Sequence, residues 1–268
     1  MKHPDEPAPV DRETARVRGI YETMAPGYDR MIAVAERLLF GDGRQWACTQ
    51  ASGHVLEVAV GTGRNLDHYP PEVQLSGIEL SPAMLARAQA RAASLPRTVD
   101  LRLGDAQQLS FPDATFDTVL ATLTLCAIPD DHAAVREMAR VLRPGGRLIL
   151  LDHVASPNRA VRAAQRLLDP LLVRYEGEHL LREPDTAVFA AGLVIDELTR
   201  SKLGIVLRLS AHKPPLHERA GADPSAAVVS IGPAQTSTEP GLDAPLVQAN
   251  TVRVHSCGTG ADQRLPQP

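Results

Sequence analysis

Between residues 54 and 153 the hydrophobic period of the chain switches repeatedly, and this alternation restricts its folds more than any other feature. Residues 54–60 (HVLEVAV) form a compact apolar run, as expected for a strand buried on both faces. Gly61-Thr62-Gly63 follows, and a short helix is expected from about Arg64. Residues 74–79 (QLSGIE) give a second strand. Ser81-Pro82 then opens a helix running to about Ala93, with Ser81 as N-cap and Pro82 in the first turn. Residues 98–103 and 116–123 supply the third and fourth strands. Residues 131–142 read as an amphipathic helix closed by Arg143-Pro144-Gly145-Gly146, and 147–153 as a fifth strand. Residues 159–173 read as helical, and 194–203 with 204–209 suit a strand pair. Alternating strands and helices imply an α/β protein with a doubly wound parallel sheet covered on both faces. Ligands of such sheets bind outside the carboxyl ends of the strands, which points to the turns after strands one, two, four and five.

The flanks read differently. Residues 11–50 are helical, with Val17, Ile20, Tyr21 and Met24 on one apolar face and an interruption at Pro26-Gly27. Residues 29–40 resume with a broader apolar surface, and Gly41-Asp42-Gly43 ends them. Residues 214–268 contain none of the nine aromatic residues but eight of the 22 prolines. Such a segment buries too little apolar surface to offset its ordering entropy, so it reads as a disordered tail. Residues 228–231 are its one strand-like run. The expected organisation is a flexible N-terminus (1–10), a domain (11–213) with a helical lid (11–50), and the tail.

Residues 1–10 are polar and proline-rich, without the apolar core of a secretory signal. Cys48, Cys126 and Cys257 form no Cys-x-x-Cys pair, which suits a reducing cytoplasm and predicts neither a disulfide scaffold nor a metal site. A net charge of −4 without a basic, aromatic-rich stripe argues against nucleic acid as a partner.

The strand-end residues point to chemistry. A glycine-rich turn lets backbone approach a ligand closely. The dinucleotide fingerprint would place a third glycine where Leu66 stands. Glu57, four residues before Gly61, would repel a pyrophosphate and attract a cationic ligand. Glu79, 18 residues after Gly61, sits where an acid accepts both hydroxyls of a ribose. Asp105 is placed to accept an adenine amine and the Ala106 N–H to bond a ring nitrogen, although an aspartate there also suits a plain turn.

This ordered set resembles the class I S-adenosylmethionine-dependent methyltransferases, nearest the branch of quinone-biosynthesis and phospholipid N-methyltransferases. The likeness covers roughly residues 21–213 through four motifs: 55–63, 77–85 (GIELSPAML), 104–117 and 140–151 (RVLRPGGRLILL). It implies a Rossmann-like, seven-stranded sheet whose antiparallel last strand lies between strands five and six. It also implies S-adenosylmethionine as cofactor. Glu57, Gly61 and Gly63 would line its methionine end, with Ala59 in the same turn. Glu79, with Leu80 beside it, would hold the ribose, Asp105 and Ala106 the adenine, and Thr122 backbone near the amino group. Tyr21, Tyr28 and Asp29 match a pattern that closes over the cofactor. The family usually has glycine at Ala59, where a methyl narrows the space and disfavours φ > 0.

For the transfer itself, His153 is a candidate base or acceptor-orienting group, with Asp152 beside it; a strand-end histidine bonded to backbone is the alternative. Tyr28 is a candidate donor to the acceptor, or a packing residue over the cofactor. Residues 122–126 (TLTLC), 152–154 (DHV) and 167–170 (LLDP) resemble animal alkyl-thiol methyltransferases. The expected acceptor is a small lipophilic molecule: a quinone, a phospholipid amine or a thiol. Residues 31–40 suit a greasy lid or a peripheral membrane contact, with core packing as the plainer role. The competing classes are a nicotinamide-dependent oxidoreductase and a non-catalytic protein that binds the same cofactor.

Overall fold

A computed structural model describes residues 11–215 and 250–253. Strands β1 (His54–Val58), β2 (Gln74–Glu79), β3 (Val99–Leu103), β4 (Phe116–Thr122) and β5 (Leu142–His153) are mutually parallel. Strand β7 (Val206–His212) runs antiparallel between β5 and β6 (Val194–Ser201), as expected. The sheet order is β3-β2-β1-β4-β5-β7-β6, with β8 (Asn250–Arg253) on the outer edge of β6. The fold class is therefore the α/β sheet that the period switching implies, with the Rossmann-like seven-strand order implied by the resemblance extended by β8 at its edge.

Strand parity sends alternate side chains to two cores. Leu56, Val58, Phe116, Leu148 and Leu150 pack on one face with Met138 of α5 (Asp131–Val141) and Val188 of α7 (Pro184–Ala190). Val55, Leu75, Leu120 and Ile149 pack on the other with Cys48 of α3 (Gly43–Cys48) and Ala88 of α4 (Pro82–Ala92). Helix α4 starts as read: Ser81 Oγ accepts the Met84 N–H, and Pro82 occupies the first turn. Helices α1 (Arg12–Met24) and α2 (Tyr28–Leu39) are separated at Pro26-Gly27, and α6 (Arg159–Tyr175) carries Pro170 within it.

Four expectations need correction. The helix expected near Arg64 is only a single 3-10 turn, Leu66–His68, cut short ahead of Pro70-Pro71. Strand β1 stops at Val58 because Ala59 swings to φ 54°. Helix α7 went unread, since its seven residues are too few to show a period. Finally, residues 250–253 of the expected tail pair antiparallel with β6, Leu198 opposite Val252 and Thr199 opposite Thr251. The strand-like run at 228–231 and the N-terminal ten residues lie outside the described residues.

Candidate active site

The strand order reverses between β1 and β4, and this switch point opens into a cavity of about 820 Å³, including its open mouth. Ala59 (φ 54°) and Leu123 (φ 55°) follow β1 and β4, and both line the cavity. Two non-glycine residues held in the left-handed region on adjacent strand ends mark backbone bent toward a ligand site. At Gly61 (φ 58°) an added Cβ would meet nothing within 4 Å, so this glycine serves its conformation and borders open space.

Tyr21, Ala59, Gly61, Glu79, Leu80, Asp105, Ala106 and Thr122 all line this cavity. Glu79 accepts the Gly61 and Ser81 N–H groups at 2.9 Å each, one on each oxygen. Each oxygen keeps a second lone pair for a ligand hydroxyl. Burial raises this carboxyl above the usual range, although the backbone N–H groups oppose the rise. Asp105 is tied to Gln107, whose amide also donates to Thr14 of α1, so the floor under the expected adenine site is coupled to the lid.

Glu57 and Gly63 do not line the cavity. Strand parity turns Glu57 into the core beside Val55, where its oxygens accept from Asn65 Nδ2 and Tyr69 Oη at 2.9 Å each. Burial pushes it up to about 7, against the pull of these hydrogen bonds and of Arg44. Gly63 is a packing position: a Cβ there would lie 2.8 Å from Leu66 Cδ1 and 3.1 Å from Ala88 Cα.

The lid is latched by charge. Asp29 accepts from Thr62 Oγ1 at 2.6 Å and Arg91 Nη2 at 2.8 Å, joining α2 to the glycine turn and to α4. Glu22 accepts from Ser81 Oγ at 2.6 Å. Arg44, missed in the sequence, lines the cavity and binds Glu36, Asn65 and Thr122 Oγ1. No motif marks Arg44, because its partners meet only in the folded chain.

Tyr28 also lines the cavity, its ring centroid 6.2 Å from that of Tyr21. Burial first, then the nearby Glu178 carboxylate, raises both phenols, so they remain donors at neutral pH. Asp152 and His153 stand behind this wall rather than in it. Asp152 Oδ2 accepts the N–H groups of Thr124 (3.1 Å) and Leu125 (2.8 Å), which shapes the turn after β4. His153 Nε2 lies 3.4 Å from Glu178, and neither ring nitrogen has a hydrogen bond of good geometry. Burial depresses the imidazole, but Glu178 and Asp152 outweigh it and raise its pKa above the usual value. Cys126, Asp152 and His153 can bring one donor atom each within 4.8 Å of one another. The Asp152 oxygens are, however, engaged by backbone N–H groups, so the trio is built as a turn brace.

Residues 56–150 match the family model described as a methyltransferase domain. The chain is 42% identical over 118 residues to the phosphatidylethanolamine N-methyltransferase of Cereibacter sphaeroides, covering 43% of this chain and 58% of that protein. It is 36% identical over 146 residues to the demethylmenaquinone methyltransferase of Deinococcus radiodurans (51% and 59%). It is 31% identical over 163 residues to a human thiol S-methyltransferase (58% and 66%). These matches thus span little more than half the length of the first two relatives. A SAM-dependent methyltransferase structure from Thermotoga maritima superposes with a TM-score of 0.58 at 22% identity, over 73% of this chain and 99% of that one. Residues 56–150 thus carry a methyltransferase domain, and the chain is similar to S-adenosylmethionine-dependent methyltransferases, whose cofactor is S-adenosylmethionine.

The cavity fits that group. Two acids, Glu79 and Asp105, stand at the ends of neighbouring strands with open space at Gly61 between them and the lid. No helix among the described residues is long and apolar enough to cross a membrane.

Proposed function

We propose that this protein transfers a methyl group from S-adenosylmethionine to a small, lipophilic acceptor of the quinone, phospholipid-amine or thiol class. One observation supports it best: Gly61, Glu79 and Asp105 converge on one cavity that the apolar or phenolic Val17, Tyr21, Tyr28 and Ile128 also line, beside the polar Arg44, Thr122 and Gln107. When bound, the cofactor supplies an activated methyl group on a cationic sulfonium. Glu79 holds the ribose, Asp105 and Ala106 the adenine. The buried Glu57 contributes negative potential from behind the glycine turn.

Tyr28 orients the acceptor by donating its phenol proton, which the raised pKa keeps in place. The lid helices exclude water, and Asp152 fixes the turn after β4 that faces the acceptor. His153, behind the cavity wall with Glu178 3.4 Å from its Nε2, acts on the acceptor indirectly, by positioning the wall residues. The names of the relatives support the acceptor class, since they act on a phospholipid amine, a quinone and a thiol.

A nicotinamide cofactor suits the site poorly. The segment after the glycine turn is a 3-10 turn, so no helix N-terminus is presented to a pyrophosphate. The test is incubation with S-adenosylmethionine and a panel of hydrophobic thiols, demethylated quinones and phospholipids, read by product mass. Turnover on polar acceptors alone would refute the acceptor class, and cofactor binding without any turnover would favour a regulatory role. Wild-type rates for His153→Ala on the true acceptor would remove this positioning role.

A further inference from the structure

Helices α2 and α6 turn apolar side chains outward. On α2, Met31, Val34 and Leu38 follow i, i+3, i+7 spacing, and Val34 and Leu38 are each 66% exposed. On α6, Leu167, Leu168, Leu171 and Tyr175 form a second stripe, with Leu167 82% exposed. Residues 31–40 are thus not simply core packing, although Glu36, Leu39 and Phe40 do face inward.

The charges on these helices are sorted by face. Their acids point inward: Asp29 to Thr62 and Arg91, Glu36 to Arg44 and Arg64, and Asp169 to the Leu180 N–H. Arg30, Arg37, Arg166 and Arg174 remain exposed, and no ion pair among the described residues engages them. The outward faces are therefore apolar and cationic on a chain whose net charge is −4.

Helix α6 is tied to the lid, and α2 reaches the cavity. Helix α2 begins at Tyr28, which lines it. Arg16 of α1 donates to the Val173 carbonyl near the end of α6, and Glu178, three residues past α6, acts electrostatically on Tyr28.

We infer that α2 and α6 form a docking face for an anionic lipid surface, with the cavity mouth beside it. Apolar side chains flanked by arginines are the composition of helices that lie in a bilayer interface, where the guanidinium groups meet lipid phosphates. A second copy of the chain fits less well, because an isologous contact would bring these arginines against each other. Delivery of a lipophilic acceptor from the bilayer rests on the methyl-transfer reading, whereas adsorption to the lipid does not.

The test is co-sedimentation of the full chain with phosphatidylcholine vesicles, with and without phosphatidylglycerol. The expected result is binding to the anionic vesicles that weakens with salt. Val34→Glu and Leu167→Glu should each weaken it by about tenfold, the loss expected from one buried aliphatic side chain. S-adenosylmethionine affinity of both variants, read by calorimetry, should stay at the wild-type value and so show an intact fold. The proposal is overturned if wild type ignores anionic vesicles, or if the Val34→Glu, Leu167→Glu double variant binds like wild type. It is equally overturned if sedimentation velocity shows a dimer that Leu167→Glu dissolves. Loss of vesicle binding with turnover intact sinks only the docking face, and vesicle binding without turnover sinks only the methyl-transfer reading.

Discussion

Glu57 makes stability depend on pH in an unusual direction. It is 2% exposed, and burial lifts its pKa from 4.5 to about 7 despite the hydrogen bonds from Asn65 and Tyr69. A carboxyl whose folded pKa lies above its unfolded one holds its proton longer in the native state. Its contribution is complete below pH 4.5, declines as pH rises, and is gone above about pH 7. The rise corresponds to about 3 kcal/mol. Glu57→Gln cannot ionise, and its amide can still accept from Asn65 and donate to Tyr69. Urea unfolding at several pH values from 4.5 to 8 would measure both proteins. The variant should gain about 3 kcal/mol on wild type across that range. Parallel stability curves would mean that Glu57 titrates alike in both states and that its burial leaves its pKa unmoved. A cationic ligand near the glycine turn should also favour the ionised form. Cofactor binding near neutral pH should therefore release a proton, read as a dependence of calorimetric heat on buffer ionisation enthalpy.

Three further outcomes follow from the geometry. Glu79→Gln should weaken cofactor binding by about 10–100-fold, the loss of a charged hydrogen-bond acceptor for the ribose, as measured by calorimetry. Gly63→Ala must force its Cβ against Leu66 and Ala88 at φ 81°, and should cost about 2–3 kcal/mol, visible as a lowered thermal midpoint. Arg44→Met removes donors to Glu36, Asn65 and Thr122 and leaves Glu36 with Arg64 alone. It should cost about 2–4 kcal/mol in denaturant unfolding, with Arg44→Lys intermediate.

The parallel part of the sheet was legible because β1, β4 and the second half of β5 are buried on both faces and its helices open on strong signals such as Ser81-Pro82. Glu79 and Asp105 were legible for the same reason: each follows directly from where a strand ends. Glu57 was misplaced by reading proximity to Gly61 without the pleat, whose parity points it at Tyr69 instead of the cavity. Asp152 gave no sign that its carboxylate braces the turn at 124–126, because that contact joins strands adjacent in space but 26 to 28 residues apart. Arg44 and Glu178 lie outside any periodic pattern, and only tertiary packing assigns them partners. The strand at 250–253 is too short and too isolated in composition to have been read before its pairing with β6 was seen.

The proposed function requires the switch-point cavity to receive S-adenosylmethionine. Isothermal titration of the full chain with S-adenosylmethionine, its demethylated product and NAD(H) tests it most directly. One equivalent of either sulfur compound should bind, Glu79→Gln should weaken both, and NAD(H) should give no heat of binding. Saturable binding of NAD(H) with none of S-adenosylmethionine would instead make the cavity a dinucleotide site.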